Sequence, residues 1–169
     1  VSGVENLLLN LKEKDFYKRI GEMAITKPSN SDLYTVEMAE FVETFARVAV
    51  PDNLPNLFFI DGGALGVENA LKAAFDWKVR KNFARGYREE RGMKVLHFDQ
   101  AFHGRSGYTL SLTNTTDPRK TAYFPKFDWP RVSNPKAVFP LTPERTADVA
   151  AREKLAVAQI EHAFAANKD

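Results

Sequence analysis

The sequence predicts an α/β domain with a mostly parallel sheet flanked by helices, and two observations support this class. Segments with the apolar spacing of helices alternate with short apolar runs that are typical of buried strands. A glycine turn also separates one such run from a helical pattern, as in a βαβ unit. The chain has 169 residues, of which 44% are hydrophobic, and this argues against disorder.

The first part of the chain predicts two helices. Residues 5–24 carry apolar side chains at roughly helical spacing, namely Leu8, Leu11, Phe16, Ile20 and Met23. Residues 27–32 are a loop by composition, and Ser31 or Asp32 would cap the next helix. The apolar stripe of that helix consists of Met38, Phe41, Val42, Phe45, Val48 and Ala49.

The middle of the chain predicts a strand, a helix and a second strand. Residues 57–60 are a short apolar run of the kind that a strand buried on both faces requires. A helix follows from Leu65 and ends at Gly86. Its inward side chains are expected to be Val67, Ala70, Leu71, Ala74 and Trp77. Residues 94–98 are the second strand, which is expected to run parallel to the first with a right-handed crossover.

The last part of the chain predicts loops followed by one helix. Prolines interrupt the sequence repeatedly between Ser106 and Pro140, so long helices are excluded from that segment. Thr142, Pro143 and Glu144 then supply an N-cap, a proline at the first helical position and an acidic first turn. A final helix is therefore expected from Pro143 onward.

Composition and charge exclude several classes of function. The 24 basic and 22 acidic residues are interspersed, and no helix face collects lysine and arginine as a nucleic-acid-binding stripe would. Apolar stretches are far shorter than the roughly 20 residues that span a bilayer. The absence of cysteine excludes disulfides and thiolate metal sites and fits a reducing compartment. We therefore expect a cytoplasmic protein without nucleic-acid or membrane partners.

A glycine turn at residues 61–66 is the most chemically informative segment. The first backbone N–H groups of a helix have no partner within it, and they lie at the positive end of the helix dipole. Gly63 and the small Ala64 would let an anion such as a phosphate approach these amides. The spacing matches neither the ATP-binding nor the dinucleotide-binding glycine pattern. An ordinary strand-to-helix turn would look the same, so both readings stay open.

A second group of candidate residues follows the second predicted strand, where ligands bind in open α/β sheets. Phe102 could stack on a flat ring, and Arg105 could hold a carboxylate through two parallel hydrogen bonds. Taken singly, each residue fits an ordinary role better: Phe102 a core position and Arg105 a surface ion pair. His103 has no nearby second histidine or cysteine, so a metal site is not expected.

Three segments resemble the L-lysine 6-aminotransferase (lysine ε-aminotransferase) family. They are DGGALGVENALKAAFDWK at 61–78, AFHGRSGYTLSLTN at 101–114 and FPKFDWP at 124–130. The loop at 27–32 is also similar, and the likeness covers about residues 23–130. The family consists of class III, fold-type I enzymes that depend on pyridoxal 5′-phosphate (PLP).

The resemblance implies part of the large domain of a fold-type I PLP-transferase. Residues 1–32 would be an N-terminal helix and pocket loop, 33–112 the βαβ cofactor-binding core, and 113–169 a loop region and helix. Family members are homodimers that transfer the ε-amino group of L-lysine to 2-oxoglutarate, giving allysine and glutamate.

Site residues follow from the same resemblance. Gly63 and Ala64 match the phosphate-binding backbone, Phe102 the ring-stacking aromatic and Arg105 the arginine that holds a substrate carboxylate. His103 would lie beside the ring. Asn30 and Ser31 would border the substrate pocket.

The chain also departs from the family pattern. About the first twenty residues match poorly, and neither the Schiff-base lysine nor the aspartate that pairs with the pyridine nitrogen is recognised. We therefore expect an incomplete chain without transaminase activity. Its open sheet would expose a strand edge and an apolar face, so it should aggregate or rely on a partner. Two alternatives remain: another class III aminotransferase, acting on ornithine or 4-aminobutyrate, or a non-catalytic α/β fragment.

Overall fold

Two units make up the chain, Val1–Leu57 and Phe58–Asp169. The computed structural model describes residues 14–26 and 34–167. The described part of the first unit contains α1 (Lys14–Thr26) and α2 (Val36–Ala49). Helix α1 confirms the helical pattern at Phe16, Ile20 and Met23. Leu8 and Leu11 lie outside the described residues.

Helix α2 begins later than the sequence predicts. Its N-cap is Thr35, which has an extended backbone. The Thr35 Oγ1 accepts a hydrogen bond from the Met38 N–H at 3.2 Å. The prediction that Ser31 or Asp32 caps this helix is therefore wrong, although the apolar stripe is helical as expected. Phe41 and Phe45 stack on one another along that stripe with ring centroids 5.7 Å apart.

The second unit contains three α-helices, one 3-10 turn and two short strands among its described residues. They are α3 (Gly63–Ala84), β1 (His97–Phe98), α4 (Gly107–Leu112), a 3-10 turn (Pro118–Lys120), β2 (Arg131–Val132) and α5 (Pro143–Ala166). Helix α3 begins within the glycine turn and stops where the sequence predicts. Gly86 follows it with φ +93° and donates its N–H to Phe83 O at 2.9 Å, as a helix-ending glycine does.

The buried side of α3 is polar rather than apolar. Glu68 and Asn82 are each 7% exposed, and the Asn82 Nδ2 donates to Arg91 O at 2.8 Å. Of the residues expected to face inward, Val67 and Leu71 are half-buried. Ala70, Ala74 and Trp77 are exposed. The inward prediction fails for these three; Ala74 and Trp77 line an open groove toward the end of the last helix and are not packed against it.

The run at residues 57–60 is not a strand, which corrects the first strand prediction. Leu57, Phe58, Phe59 and Ile60 are 37%, 70%, 39% and 45% exposed. A strand buried on both faces needs paired neighbours and a covering layer on each side. The sheet of the described residues consists of β1 and β2 and does not reach this run.

The parallel pairing instead joins β1 to β2, and this retains the α/β class. His97 lies opposite Arg131, and Phe98 lies opposite Val132. Only two of the residues expected at 94–98 are in the strand. Its partner, β2, comes from the region predicted as loop. The sequence does not predict β2 because a two-residue strand next to Pro130 is too short to show an alternating pattern.

The apolar core is small and lies where α4, β2 and α5 meet. Leu112, Val132 and Ala156 are its buried residues, each at most 3% exposed. Helix α5 starts as the sequence predicts, since the Arg145 N–H donates to Thr142 Oγ1 at 3.3 Å and Pro143 occupies the first turn. The Ser133 N–H donates to Gln159 Oε1 at 2.7 Å, which attaches α5 to the end of β2.

Four aromatic rings connect α3, α4 and the segment before β2. Phe127 and Trp129 stack at 4.9 Å and 11°, and Tyr108 meets Phe75 edge to face at 5.5 Å. Aromatic pairs of this kind contribute roughly 0.5–1.5 kcal/mol each beyond their area burial. The cluster therefore holds α4 against α3, next to the predicted site. None of the described helices has the length and apolar character needed to cross a membrane.

Candidate anion and ring site

The start of α3 lacks the side-chain cap that other helices have. Its N-cap is Gly62, at φ +81° and ψ 149°, and no side chain caps the helix there, whereas threonines cap α2 and α5. The first helical hydrogen bond is made by the Gly66 N–H to Gly62 O at 3.1 Å. The amides of Gly63 and Ala64 precede it and are left for an external acceptor.

The turn that follows β1 is held by a small hydrogen-bond network. The Asn114 N–H donates to Ala101 O at 2.8 Å. The His103 N–H donates to Thr113 Oγ1 at 3.0 Å, and the Thr113 hydroxyl in turn donates to Gly104 O. Thr113 is only 2% exposed, so this network is shielded from water and fixes the backbone of residues 101–104.

A direct contact joins this turn to the start of α3. A Cβ built on Gly104 would lie 2.5 Å from the Cβ and 2.9 Å from the Cα of Ala64, and Gly104 has φ +110°. Both the close approach and the backbone conformation require glycine. The Gly63 and Ala64 amides and the turn containing Phe102 therefore lie side by side.

The three functional candidates of this turn differ in exposure. The Phe102 ring is 64% exposed, His103 is half-buried, and Arg105 is exposed. Among the described residues, no hydrogen bond or ion pair occupies the Arg105 guanidinium. An exposed ring and an exposed cation thus stand within two residues of Gly104, which contacts Ala64 at the start of α3. Asn30 and Ser31, the remaining candidates, lie outside the described residues.

A buried glutamate links the two halves of the site. Glu68 Oε1 accepts hydrogen bonds from Ser106 Oγ at 2.7 Å and from the Thr109 N–H at 3.1 Å. Sequence reasoning missed this residue because glutamate on a helix is normally solvated. Its place one turn after Ala64, on the side of α3 that faces α4, is decided by the tertiary structure.

His97 of β1 and Arg131 of β2 form a second polar link, between the two strands. Arg131 Nε donates to His97 Nε2 at 2.9 Å, and His97 Nδ1 lies 3.1 Å from Val95 O. Arginine is always a donor, so the neutral imidazole with its proton on Nδ1 satisfies both partners. Burial, together with the nearby charge of Arg131, lowers the pKa of His97, although its contact with Val95 O opposes this shift.

Stability is therefore expected to fall in mild acid. Because the pKa of His97 is lowered in the folded state, the unfolded chain binds the proton more readily. The contribution of neutral His97 to the free energy of unfolding is therefore present above about pH 6.5 and is lost as the pH falls below that value. We expect a lower thermal-unfolding midpoint at pH 5.5 than at pH 7.5, and a smaller difference in His97→Gln. The exposed His162→Gln is the control; an equal pH effect in all three proteins would contradict the prediction.

Other features of the structure lie away from these residues. A groove of about 640 Å³ runs between α3 and the end of α5, lined mainly by apolar side chains such as Leu71, Met93 and Phe164. It contains none of the predicted site residues. Within residues 14–26 and 34–167, no group of three or more His, Asp or Glu could hold a metal ion.

The comparisons with known proteins identify the family of the chain. The family model "Aminotransferase class-III" matches residues 22–169, and the chain belongs to the class III aminotransferases. L-lysine-epsilon aminotransferase from Mycobacterium tuberculosis is 62% identical over 123 residues, which are 73% of this chain and 27% of that protein.

A solved structure agrees with this relationship. Lysine aminotransferase from M. tuberculosis in the internal aldimine form superposes with a TM-score of 0.81 at 54% identity, covering 93% of this chain and 35% of that chain. A 4-aminobutyrate aminotransferase from Mycosarcoma maydis is more distant, 31% identical over 147 residues, covering 76% of this chain and 28% of that protein. The predicted resemblance and fold class are confirmed. The chain spans about a third or less of the length of these relatives.

Proposed function

We propose that this chain forms the part of a lysine ε-aminotransferase that holds the phosphate and the ring of PLP. The whole enzyme would transfer the ε-amino group of L-lysine to 2-oxoglutarate, giving allysine and glutamate. The contact between Gly104 and Ala64 carries the proposal, because it brings free helix-start amides beside an exposed aromatic ring. The much higher identity to lysine aminotransferase than to 4-aminobutyrate aminotransferase favours lysine as the amino donor.

The residues present fit this cofactor. An uncapped helix start suits a phosphate group, and the exposed face of Phe102 suits a pyridine ring. When bound, PLP supplies an electron sink for transfer of the amino group. The chain's own contribution is to hold the cofactor at two points, the phosphate at Gly63 and Ala64 and the ring at Phe102.

Four further residues complete the proposed pocket. Arg105 would receive a substrate carboxylate through two parallel hydrogen bonds, since no described residue occupies its guanidinium. His103 would flank the ring, with its backbone held by Thr113. Asn30 and Ser31 would border the substrate.

Assembly and compartment are part of the same proposal. We expect the whole protein to be a homodimer, as the family resemblance implies, and to act in the cytoplasm, which fits a chain without cysteine. The 169-residue chain alone should be inactive, since the lysine that the family uses to hold the cofactor is not recognised in it.

The test is a substrate panel on the complete product of the gene. With 2-oxoglutarate as acceptor, glutamate formation is measured for L-lysine, L-ornithine and 4-aminobutyrate. We expect kcat/KM for lysine to exceed that for the other two donors by about tenfold or more. Allysine is then identified as the keto product.

Two results would contradict the proposal. A preference for ornithine or 4-aminobutyrate would replace the substrate but keep the enzyme class. Absence of both PLP binding and transamination in the complete product would leave a non-catalytic α/β fragment. Allysine production by the 169-residue chain alone would contradict its predicted inactivity.

A further inference from the structure

Glu68 is an unusual residue to find buried in the second turn of α3. It is 7% exposed, and no lysine, arginine or histidine among the described residues forms an ion pair with it. Removing a carboxylate from water is unfavourable unless hydrogen bonds replace its hydration. The Ser106 hydroxyl and the Thr109 N–H, both donating to Oε1, supply that replacement.

The two donors to Glu68 are bonded to each other at the start of α4. Thr109 is 0% exposed. Its hydroxyl oxygen accepts from the Ser106 N–H at 3.0 Å, so the two donors form one capped unit at the start of α4. Ser106 directly follows Arg105. Any movement of this unit relative to α3 therefore also moves Arg105 and the turn before it.

Glu68 and Gly104 make two different links between the same two elements. The contact of Gly104 with Ala64 is a van der Waals contact, which sets how closely the elements approach but permits sliding. A hydrogen bond donated to a carboxylate is directional and resists sliding. The two links together fix both the separation and the register of the amides and the Phe102 turn.

We propose that Glu68 is a positioning residue: its carboxylate sets the register between the Gly63 and Ala64 amides and the Phe102–Arg105 turn, so that one ligand can reach both. This inference rests on the proposed function and adds a residue that touches neither the anion nor the ring. It implies that losing Glu68 lowers the affinity for a ligand with two binding points more than the affinity for a ligand with only one.

The experiment compares two probes on the apo form of the complete gene product. Pyridoxine 5′-phosphate carries both ring and phosphate but no aldehyde, so it cannot react with lysines. Inorganic phosphate engages the amides alone. Dissociation constants for both are measured by calorimetry in the wild type, Glu68→Ala and Glu68→Gln.

Asn82→Ala is the matched control. Asn82 lies on the same helix with the same 7% exposure, and its side chain bonds Arg91 O beyond the opposite end of α3. Both alanine variants remove a buried polar link and should lower the thermal-unfolding midpoint. Only Glu68→Ala should change ligand binding selectively.

We expect Glu68→Ala to weaken the binding of pyridoxine 5′-phosphate about tenfold or more and the binding of inorganic phosphate less than about threefold. Glu68→Gln keeps an oxygen acceptor in place and should recover part of the loss. If Glu68→Ala does not fold, Glu68→Gln is used in its place. It should show the same selective loss of pyridoxine 5′-phosphate binding, with a smaller change in the dissociation constant. Asn82→Ala should bind both probes as the wild type does.

The opposite results are distinguishable. Equal weakening of both probes, an effect matched by Asn82→Ala, or unchanged binding in both Glu68 variants would overturn the positioning role and leave the proposed function standing. A wild-type protein that binds neither probe would overturn the proposed function and this inference together.

Discussion

Replacing Gly104 by alanine is expected to abolish measurable binding of pyridoxine 5′-phosphate and to lower the free energy of unfolding by about 2–6 kcal/mol. The new Cβ would meet the Ala64 Cβ at 2.5 Å and Thr109 Oγ1 at 3.0 Å. Neither neighbour is the end of a flexible side chain, so the backbone must move. The turn carrying Phe102 would shift away from the α3 amides, and a ligand could no longer reach both.

Gly86→Ala separates the steric effect from the backbone effect. Gly86 also has a positive φ, +93°, but nothing lies within 4 Å of a Cβ built there. This variant should lose stability, by about 1–3 kcal/mol, without losing ligand binding. Calorimetric titration and chemical denaturation of both variants make the comparison.

A second-site change offers a further check. Ala64→Gly removes the side-chain half of the clash and should partly restore binding in the Gly104→Ala background. The Ala64 Cα, 2.9 Å from the new Cβ, keeps the rescue incomplete. Normal binding by Gly104→Ala alone would show that the close contact between the two elements is not needed for the site.

Arg105→Ala is expected to reduce kcat/KM for L-lysine about 100- to 1000-fold in the complete gene product. Two charge-assisted hydrogen bonds to a carboxylate, each near the lower end of the usual range of about 1.5–3 kcal/mol, account for a loss of this size. Arg105→Lys keeps the charge but not the parallel pair of donors, so its loss should be smaller, about tenfold. Steady-state kinetics at saturating 2-oxoglutarate measures both variants.

A substrate without the carboxylate tests whether Arg105 acts on that group. The wild type should prefer L-lysine strongly over 1,5-diaminopentane, and Arg105→Ala should lose most of this preference. Arg85→Ala is the control, because Arg85 is exposed just beyond α3. Since α3 has 22 residues, Arg85 lies about 33 Å from the start of the helix. An unchanged preference in Arg105→Ala would place the carboxylate elsewhere.

Local signals were sufficient for the elements that begin and end at distinctive residues. The glycine turn located the start of α3, Gly86 its end, and Thr142 with Pro143 the start of α5. These signals work because caps and backbone conformation depend on the residues of the turn itself. Helix α2 shows the limit: the sequence predicts a cap at Ser31 or Asp32, whereas the helix is capped by Thr35, which accepts the Met38 N–H.

Burial could not be predicted in the same way. Trp77 belongs to the apolar pattern of α3 and is 58% exposed, whereas Glu68 and Asn82 are buried. The periodicity of a helix defines its faces but not which other segment covers each face. The short helix α4 supplies the donors to Glu68, and it was missed because Gly107, Tyr108 and Thr109 are weak helix formers.

The sequence by itself determined the family, the α/β class, both ends of α3 and the start of α5. It also supplied the candidate residues for an anion site, a flat ring and a carboxylate. Only the tertiary structure decided that residues 57–60 form no strand, that β1 pairs with β2, and that Ala64, Gly104 and Glu68 join the two halves of the site. The reason is physical: caps and turns are made by neighbours in sequence, whereas strand pairing and burial depend on distant segments meeting in space.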